Sequence, residues 1–182
     1  MLRASEQDRP DIAQQRAQWQ AEQGEMDAGR LVFLDESGAK TNMTRLRARV
    51  KGGARAYDSA PSGHWSTTTM ISSLRLDGQT ACMVLAPALR PGDVVVMDNL
   101  SSHKDPAVRK LIQTTETALV YLPPYSPDFN PIEKMRSKIK EALRGAKART
   151  EETLFEQIGK VLQQVTPNDT IGWFTLYSYV RS

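Results

Sequence analysis

In LVFLDES (Leu31–Ser37), four apolar residues run directly into two acids, Asp35 and Glu36. A continuous apolar run bounded by polar residues is the pattern of a strand covered on both faces of its sheet. The stretch VVVMDNLSSHK (Val94–Lys104) repeats the arrangement, with Asp98 closing the run. Two such strands would bring carboxylates to the carboxyl ends of a sheet, which is where open α/β sheets hold their ligands.

Working outward, the chain alternates strand and helix signals. Arg9 to Gln23 reads as a polar helix, and VKGGARAYDSAPSGH (50–64) as a turn-rich loop. WSTTTMISSLRL (65–76) is β-prone, Asp77-Gly78 is a hairpin turn, and QTACMVL (79–85) returns antiparallel. After Val94–Met97 come a helix from Pro106 to Thr114, the strand ALVYLPP (118–124), a helix started by Pro131 and running to Leu143, and a last amphipathic helix from Glu151 to Val165. There is no internal repeat and no low-complexity tract.

The chain has 182 residues, a one-domain length, with 25% charged and 40% hydrophobic residues, as in a globular protein. No apolar run approaches a membrane span, and the first twenty residues show no signal-peptide core. A cytosolic protein without a membrane partner is expected. Cys82 is the sole cysteine, so a disulfide framework is excluded, and a small buried side chain is its expected role.

The net charge of +3 is modest but concentrated in two runs. One holds Lys40, Arg45, Arg47, Arg49, Lys51 and Arg55; the other holds Lys134, Arg136, Lys138, Lys140, Arg144, Lys147 and Arg149. Either run alone fits a solvated face. Flanking candidate acids, the pair favours a polyanionic substrate, because neutralised phosphates release counterions.

An isolated Asp after a strand is well explained as a cap or turn residue. Here Asp98 is followed by Asn99, Ser101, Ser102 and His103, and PPYSPDFNPIEK (123–134) adds Glu133 at a helix start. Three carboxylates from separate elements, without a cysteine or histidine cluster, suit the oxygen ligation that magnesium and manganese prefer. An aspartyl-nucleophile phosphatase fits less well, since Ser37 stands where such a site has its second Asp.

Taken together, LVFLDES, VVVMDNLSSHK and LPPYSPDFNPIEK resemble the catalytic core of mariner-related bacterial insertion-sequence transposases, members of the DDE superfamily. Thirty-four residues separate Asp98 from Glu133, the interval that superfamily favours. The resemblance spans Arg9 to Tyr177 and includes KTNM, GHW and LRPGD between the main motifs. It implies an α/β, ribonuclease H-like mixed sheet flanked by helices, with residues 1–28 as a helical lead-in and 29–182 as the endonuclease domain. By the same resemblance Asp35, Asp98 and Glu133 are the catalytic, metal-binding acids, holding two Mg2+ or Mn2+ ions for DNA strand cleavage and transfer. Asn99 and His103 either orient a phosphate, water or carboxylate or hold their loop by hydrogen bonds. Glu36 reads as solvated. Arg45, Arg47, Lys134, Arg136 and Lys138 are the candidate DNA contacts, and Trp65, after His64, reads as a packing residue. The implied partners are transposon-end and target DNA and a second copy of the chain, in a bacterial cytoplasm at the nucleoid.

Two departures from the family pattern shape the expectation. About thirty residues precede Asp35, so no helix-turn-helix recognition domain is expected. Between CMVL (82–85) and RPGD (90–93) only four residues remain, where a parallel crossover takes a dozen or more. The expectation is a shortened crossover between the third strand and the strand carrying Asp98, with activity impaired by internal deletion. The alternative is a non-catalytic transposase remnant that binds DNA or acts as an accessory protein.

Overall fold

The computed structural model describes residues 4–82 and 89–181. Leu31, Val32, Phe33 and Leu34 are fully or almost fully buried, and the strand they begin is the middle of a five-stranded sheet. The strands are β1 (Leu31–Lys40), β2 (Thr67–Arg75), β3 (Thr80–Cys82), β4 (Val94–Met97) and β5 (Ala118–Tyr121), ordered β3-β2-β1-β4-β5. The first three form an antiparallel meander, whereas β4 and β5 run parallel to β1. This is the mixed sheet expected.

Strand β1 is longer than the five residues read from sequence. Beyond Asp35 its burial alternates, with Ser37 and Ala39 covered and Glu36, Gly38 and Lys40 exposed. Those residues pair with β2 as far as Lys40 opposite Thr67. Asp35 therefore lies inside a strand rather than at its end. The parallel pairing with β4, however, stops at Leu34 opposite Met97. Asp35 and Asp98 are the next positions beyond that last rung.

The Asp77-Gly78 turn joins β2 to β3 as expected. Gly78 has φ +83°, and a Cβ there would stand 3.0 Å from the backbone nitrogen of Pro167. Both the left-handed backbone and the close approach of the following helix demand glycine.

Alternation sorts the strand residues between two faces. Leu34, Val95 and Met97 pack with Ile112 of α2 (Pro106–Gln113), the crossover helix between β4 and β5. Leu31, Phe33 and Val96 face the larger core. That core is closed by α1 (Pro10–Gln23), α3 (Ile132–Ala146), α4 (Glu151–Leu162) and α5 (Pro167–Leu176), through residues such as Trp19, Met135, Ile139, Leu154 and Phe174. Helix α5 was not anticipated. Its signal was Thr-Pro-Asn-Asp at 166–169, a capping box with proline in the first turn.

At the end of the sheet away from Asp35 and Asp98, a buried Arg75 is paired with Asp93, which also accepts a 2.7 Å hydrogen bond from the Arg90 amide. This pair ties the end of β2 to the start of β4. The described pairing of β3 ends at Cys82, so eleven residues lie between it and Val94, seven of them before RPGD where counting from Leu85 gave four. Setting aside the Arg90–Asp93 turn, the remaining seven span up to about 23–25 Å when extended. Three interstrand steps of roughly 14 Å and about 13 Å back along the strands combine to roughly 19 Å, so link length does not bar closure. QTACMVL returns antiparallel as expected over Thr80–Cys82; its remainder falls on 83–88, outside the described residues, and the expected burial of the Cys82 side chain is likewise not described.

Candidate active site

Parity on the sheet brings two acids to one face. Asp35 has the same parity as Leu31 and Phe33, and Asp98 the same parity as Val96, so both belong to the face covered by α3. Adjacent strands lie about 4.8 Å apart, which places the two backbones side by side. Glu133 arrives in the first turn of α3. That helix is seated by a buried stripe of Ile132, Met135, Ile139 and Leu143. One residue further round, the same intervals give Glu133, Arg136, Lys140 and Arg144, a flank stripe of one acid and three cations.

Arg136 reaches back from this stripe into the acids. Its Nη1 lies against Asp35 Oδ2 and 3.1 Å from Glu133 Oε1. Asp35 is 4% exposed, and its Oδ1 accepts a hydrogen bond from the Glu36 amide at 2.6 Å. Burial raises the proton affinity of Asp35 above that of an ordinary aspartate; Arg136 opposes the shift, while Glu133 and Asp98 add to it. A neighbouring cation favours the carboxylate, and neighbouring acids disfavour it. The electrostatic influence of all three groups on Asp35 is what a shared site produces. Arg136 was read as a DNA contact, but here it lies between two of the acids.

Asp98 has its own buried neighbour. His103 is 4% exposed, and its Nδ1 lies against Asp98 Oδ1, off the direction of a well-formed hydrogen bond. Its Nε2 is 3.9 Å from Glu36 Oε1, and its backbone carbonyl accepts a 2.9 Å hydrogen bond from the Tyr121 hydroxyl. Asp98 Oδ1 also accepts from the Leu100 amide at 3.3 Å. Asn99 borders a cavity next to Asp98.

The remaining basic candidates separate. Lys138 donates to Asp169 at 2.6 Å and to the Gln164 carbonyl at 3.0 Å, tying α3 to α5. Lys134 is exposed on α3. Arg45 and Arg47 come from the loop after β1 and, with Lys140 and Arg144, line a cavity of about 770 Å³ along α3. The Arg45 guanidinium passes so close to Gly145 that an added Cβ would meet it at 3.4 Å. Lys140 has a lowered pKa, first from burial and then from Arg136. Lys140 and Arg144 stood in the second basic run but not among the candidate DNA contacts; their offset of one from the apolar stripe was the signal that marks them. Trp65, expected to pack, is 49% exposed.

The donor set is all oxygen, matching hard divalent cations. Among the described residues, no three His, Cys, Asp or Glu side chains are gathered closely enough to hold an ion. Arg136 fills the space between Asp35 and Glu133, so a cation already sits where two carboxylates meet. The donor chemistry of Asp35, Asp98 and Glu133 suits a divalent metal, whereas their spacing with the guanidinium in place does not gather them around one ion.

Residues 84–155 match the sequence pattern of the DDE superfamily endonuclease family. No curated protein matches the chain. Among solved structures, the mariner Mos1 paired-end complex with Mn superposes with a TM-score of 0.74 at 14% identity, covering 98% of this chain and 62% of that one. The Mos1 transposase paired-end complex with the left transposon end gives 0.70 at 15% identity, with the same coverage. The isolated Mos1 catalytic domain gives 0.65 at 11% identity, covering 98% of this chain and 91% of that one. These likenesses show the ribonuclease H-like fold of that catalytic domain. The chain spans 62% of the length of the first two transposase chains.

Proposed function

We propose, for a chain whose residues 84–155 carry the DDE superfamily endonuclease pattern, that it is the catalytic domain of a DNA transposase of the mariner-related bacterial insertion-sequence type. It would cut and rejoin DNA strands with Mg2+ or Mn2+. The observation that carries this reading is the convergence of Asp35 from β1, Asp98 from the end of β4 and Glu133 from α3 on one face at one end of the sheet. The accessory-protein alternative is not favoured, because all three acids are present in this arrangement.

Asp35 lies within β1, Asp98 is the first residue after β4, and Glu133 sits in the first turn of α3. Two bound divalent ions would activate the attacking oxygen and stabilise the departing one. Arg136 would leave the carboxylates and present its guanidinium to a phosphate, the bidentate partner it suits. His103, fixed by Tyr121, would keep the Asp98 carboxylate oriented. Arg45, Arg47, Lys140 and Arg144 would receive the DNA backbone, with Lys134 at the edge and Lys138 kept by Asp169.

The helical lead-in, residues 1–28, would work with the domain at 29–182 as one unit, supported by Trp19 in the shared core. The implied partners are transposon ends, target DNA and a second copy of the chain. No helix among the described residues is long and apolar enough to cross a membrane, and the proposed place is the bacterial cytoplasm at the nucleoid.

The test is nicking of supercoiled DNA in Mn2+ by the wild type and by Asp35→Asn, Asp98→Asn and Glu133→Gln. Cleavage by the wild type that falls to background in each variant is the expected result. Undiminished cleavage by Asp98→Asn overturns the reading.

A further inference from the structure

A cavity of about 320 Å³ opens between the end of β4 and the loop leading into α3, within the roughly 300–1,000 Å³ of small-ligand sites. Asp98 and Glu133 border it, Leu100, Pro123 and Tyr125 provide apolar walls, and Asn130 contributes an amide. Asn130 is 3% exposed, and its Oδ1 has no hydrogen-bond partner. That oxygen presents no surface to the cavity, which offers flat apolar walls beside two of the acids rather than an open acceptor. We infer that this cavity receives a single nucleobase, that of the nucleotide flanking the phosphate held at Asp35, Asp98 and Glu133. The inference rests on the DNA reading above and adds a base-binding subsite to it.

The chemistry fits a base better than a sugar. Prolines and a tyrosine present flat apolar surface, on which any base stacks regardless of sequence. The groove of Arg45, Lys140 and Arg144 is a separate cavity, and Glu133 and Arg136 continue its stripe on α3 toward the acids. A strand laid along that groove would bring a phosphate to the acids and the adjoining base to the pocket.

The wall is built to keep its shape. Tyr125 has φ +56°, a left-handed backbone that a residue with a bulky side chain adopts only where its surroundings hold it. Its carbonyl accepts from the Gln7 side chain, and the Ser126 hydroxyl donates to the Pro124 carbonyl at 3.0 Å. Arg16 of α1 donates to Ser126 Oγ at 2.7 Å, forks onto Asp128 at 2.6 and 3.0 Å, and lies 4.5 Å over the Phe129 ring. The lead-in helix therefore braces the pocket loop from behind, leaving Tyr125 half exposed at the rim.

The experiment uses single-stranded oligonucleotides whose 3′-terminal nucleotide is 2-aminopurine or abasic, bound to the full chain in EDTA so that nothing is cut. The wild type is expected to quench the terminal 2-aminopurine and to bind the abasic strand about tenfold more weakly. Tyr125→Ala, at an exposed position that leaves the core untouched, should erase most of that difference, while Tyr125→Phe retains it. Equal, tight binding of both strands by the wild type overturns the subsite alone. Binding of neither strand overturns the DNA reading together with it.

Discussion

Arg136 decides the resting electrostatics of the site. One guanidinium nitrogen serves a buried aspartate and a half-exposed glutamate, so metal binding at these carboxylates has to displace it. Arg136→Gln removes that competitor and is expected to bind Mn2+ about tenfold more tightly by titration calorimetry, a gain of roughly 1.4 kcal/mol. The same variant should melt earlier without metal and gain more from its addition, since Asp35 then stays buried without its cation. Unchanged affinity would mean that the guanidinium and the ion do not share a place. The carboxylates themselves were legible: an apolar run ending in Asp is a visible pattern at both 31–35 and 94–98. Arg136 was not, because on a helix surface an arginine beside a glutamate looks like any solvated pair, and only the tertiary approach of Asp35 distinguishes it. The pairing of Lys138 was hidden for the same reason, its partner Asp169 being on a helix that the sequence did not reveal.

Between elements, two polar links fasten helices to the core, and each can be tested. Tyr179 accepts from Trp19 Nε1 at 3.1 Å and donates to the Phe129 carbonyl at 2.8 Å, inside an aromatic cluster with Phe33 and Phe174. Tyr179→Phe keeps the ring but leaves two buried groups unpaired, which costs about 1–3 kcal/mol; urea unfolding should show it as a lower midpoint at unchanged slope. The second link is Lys138 to Asp169. Lys138 first, and then the Thr166 amide and hydroxyl, lower the pKa of Asp169 to about 2. A depressed carboxyl pKa stabilises the fold above the unfolded value of roughly 3.9, and that contribution disappears as pH falls toward the folded value. Asp169→Asn should therefore melt below the wild type at neutral pH, with the gap closing in strong acid; a gap that persists there would assign the effect to the capping box rather than to charge. Strands and most helices were readable because their apolar periods are strong. The extension of β1 to Lys40 was hidden, since Glu36 and Gly38 break an apolar run that only the pairing with β2 continues.

Across the whole molecule, the arrangement of charge matters more than its sum. A net +3 would be weak evidence for a polyanionic partner, but the fold collects Arg45, Arg47, Lys140 and Arg144 around one cavity on the flank of α3, with Arg136 on the same stripe beside the acids. Sequence reading located the two basic runs without seeing that a loop after β1 and a helix more than ninety residues later would face each other; long-range proximity of this kind leaves no local signal. Each phosphate neutralised on duplex DNA contributes about −0.9 to the slope of log affinity against log salt. Lys140→Ala and Arg144→Ala should each flatten that slope by roughly 1 and weaken binding alike on unrelated sequences. Lys138→Ala should leave the slope unchanged, because Asp169 already holds that charge. Fluorescence anisotropy over a salt series separates these outcomes. Slopes that stay at the wild-type value in the first two variants would move the DNA path off this flank of α3, and a slope that falls with Lys138→Ala would place it on the side facing α5.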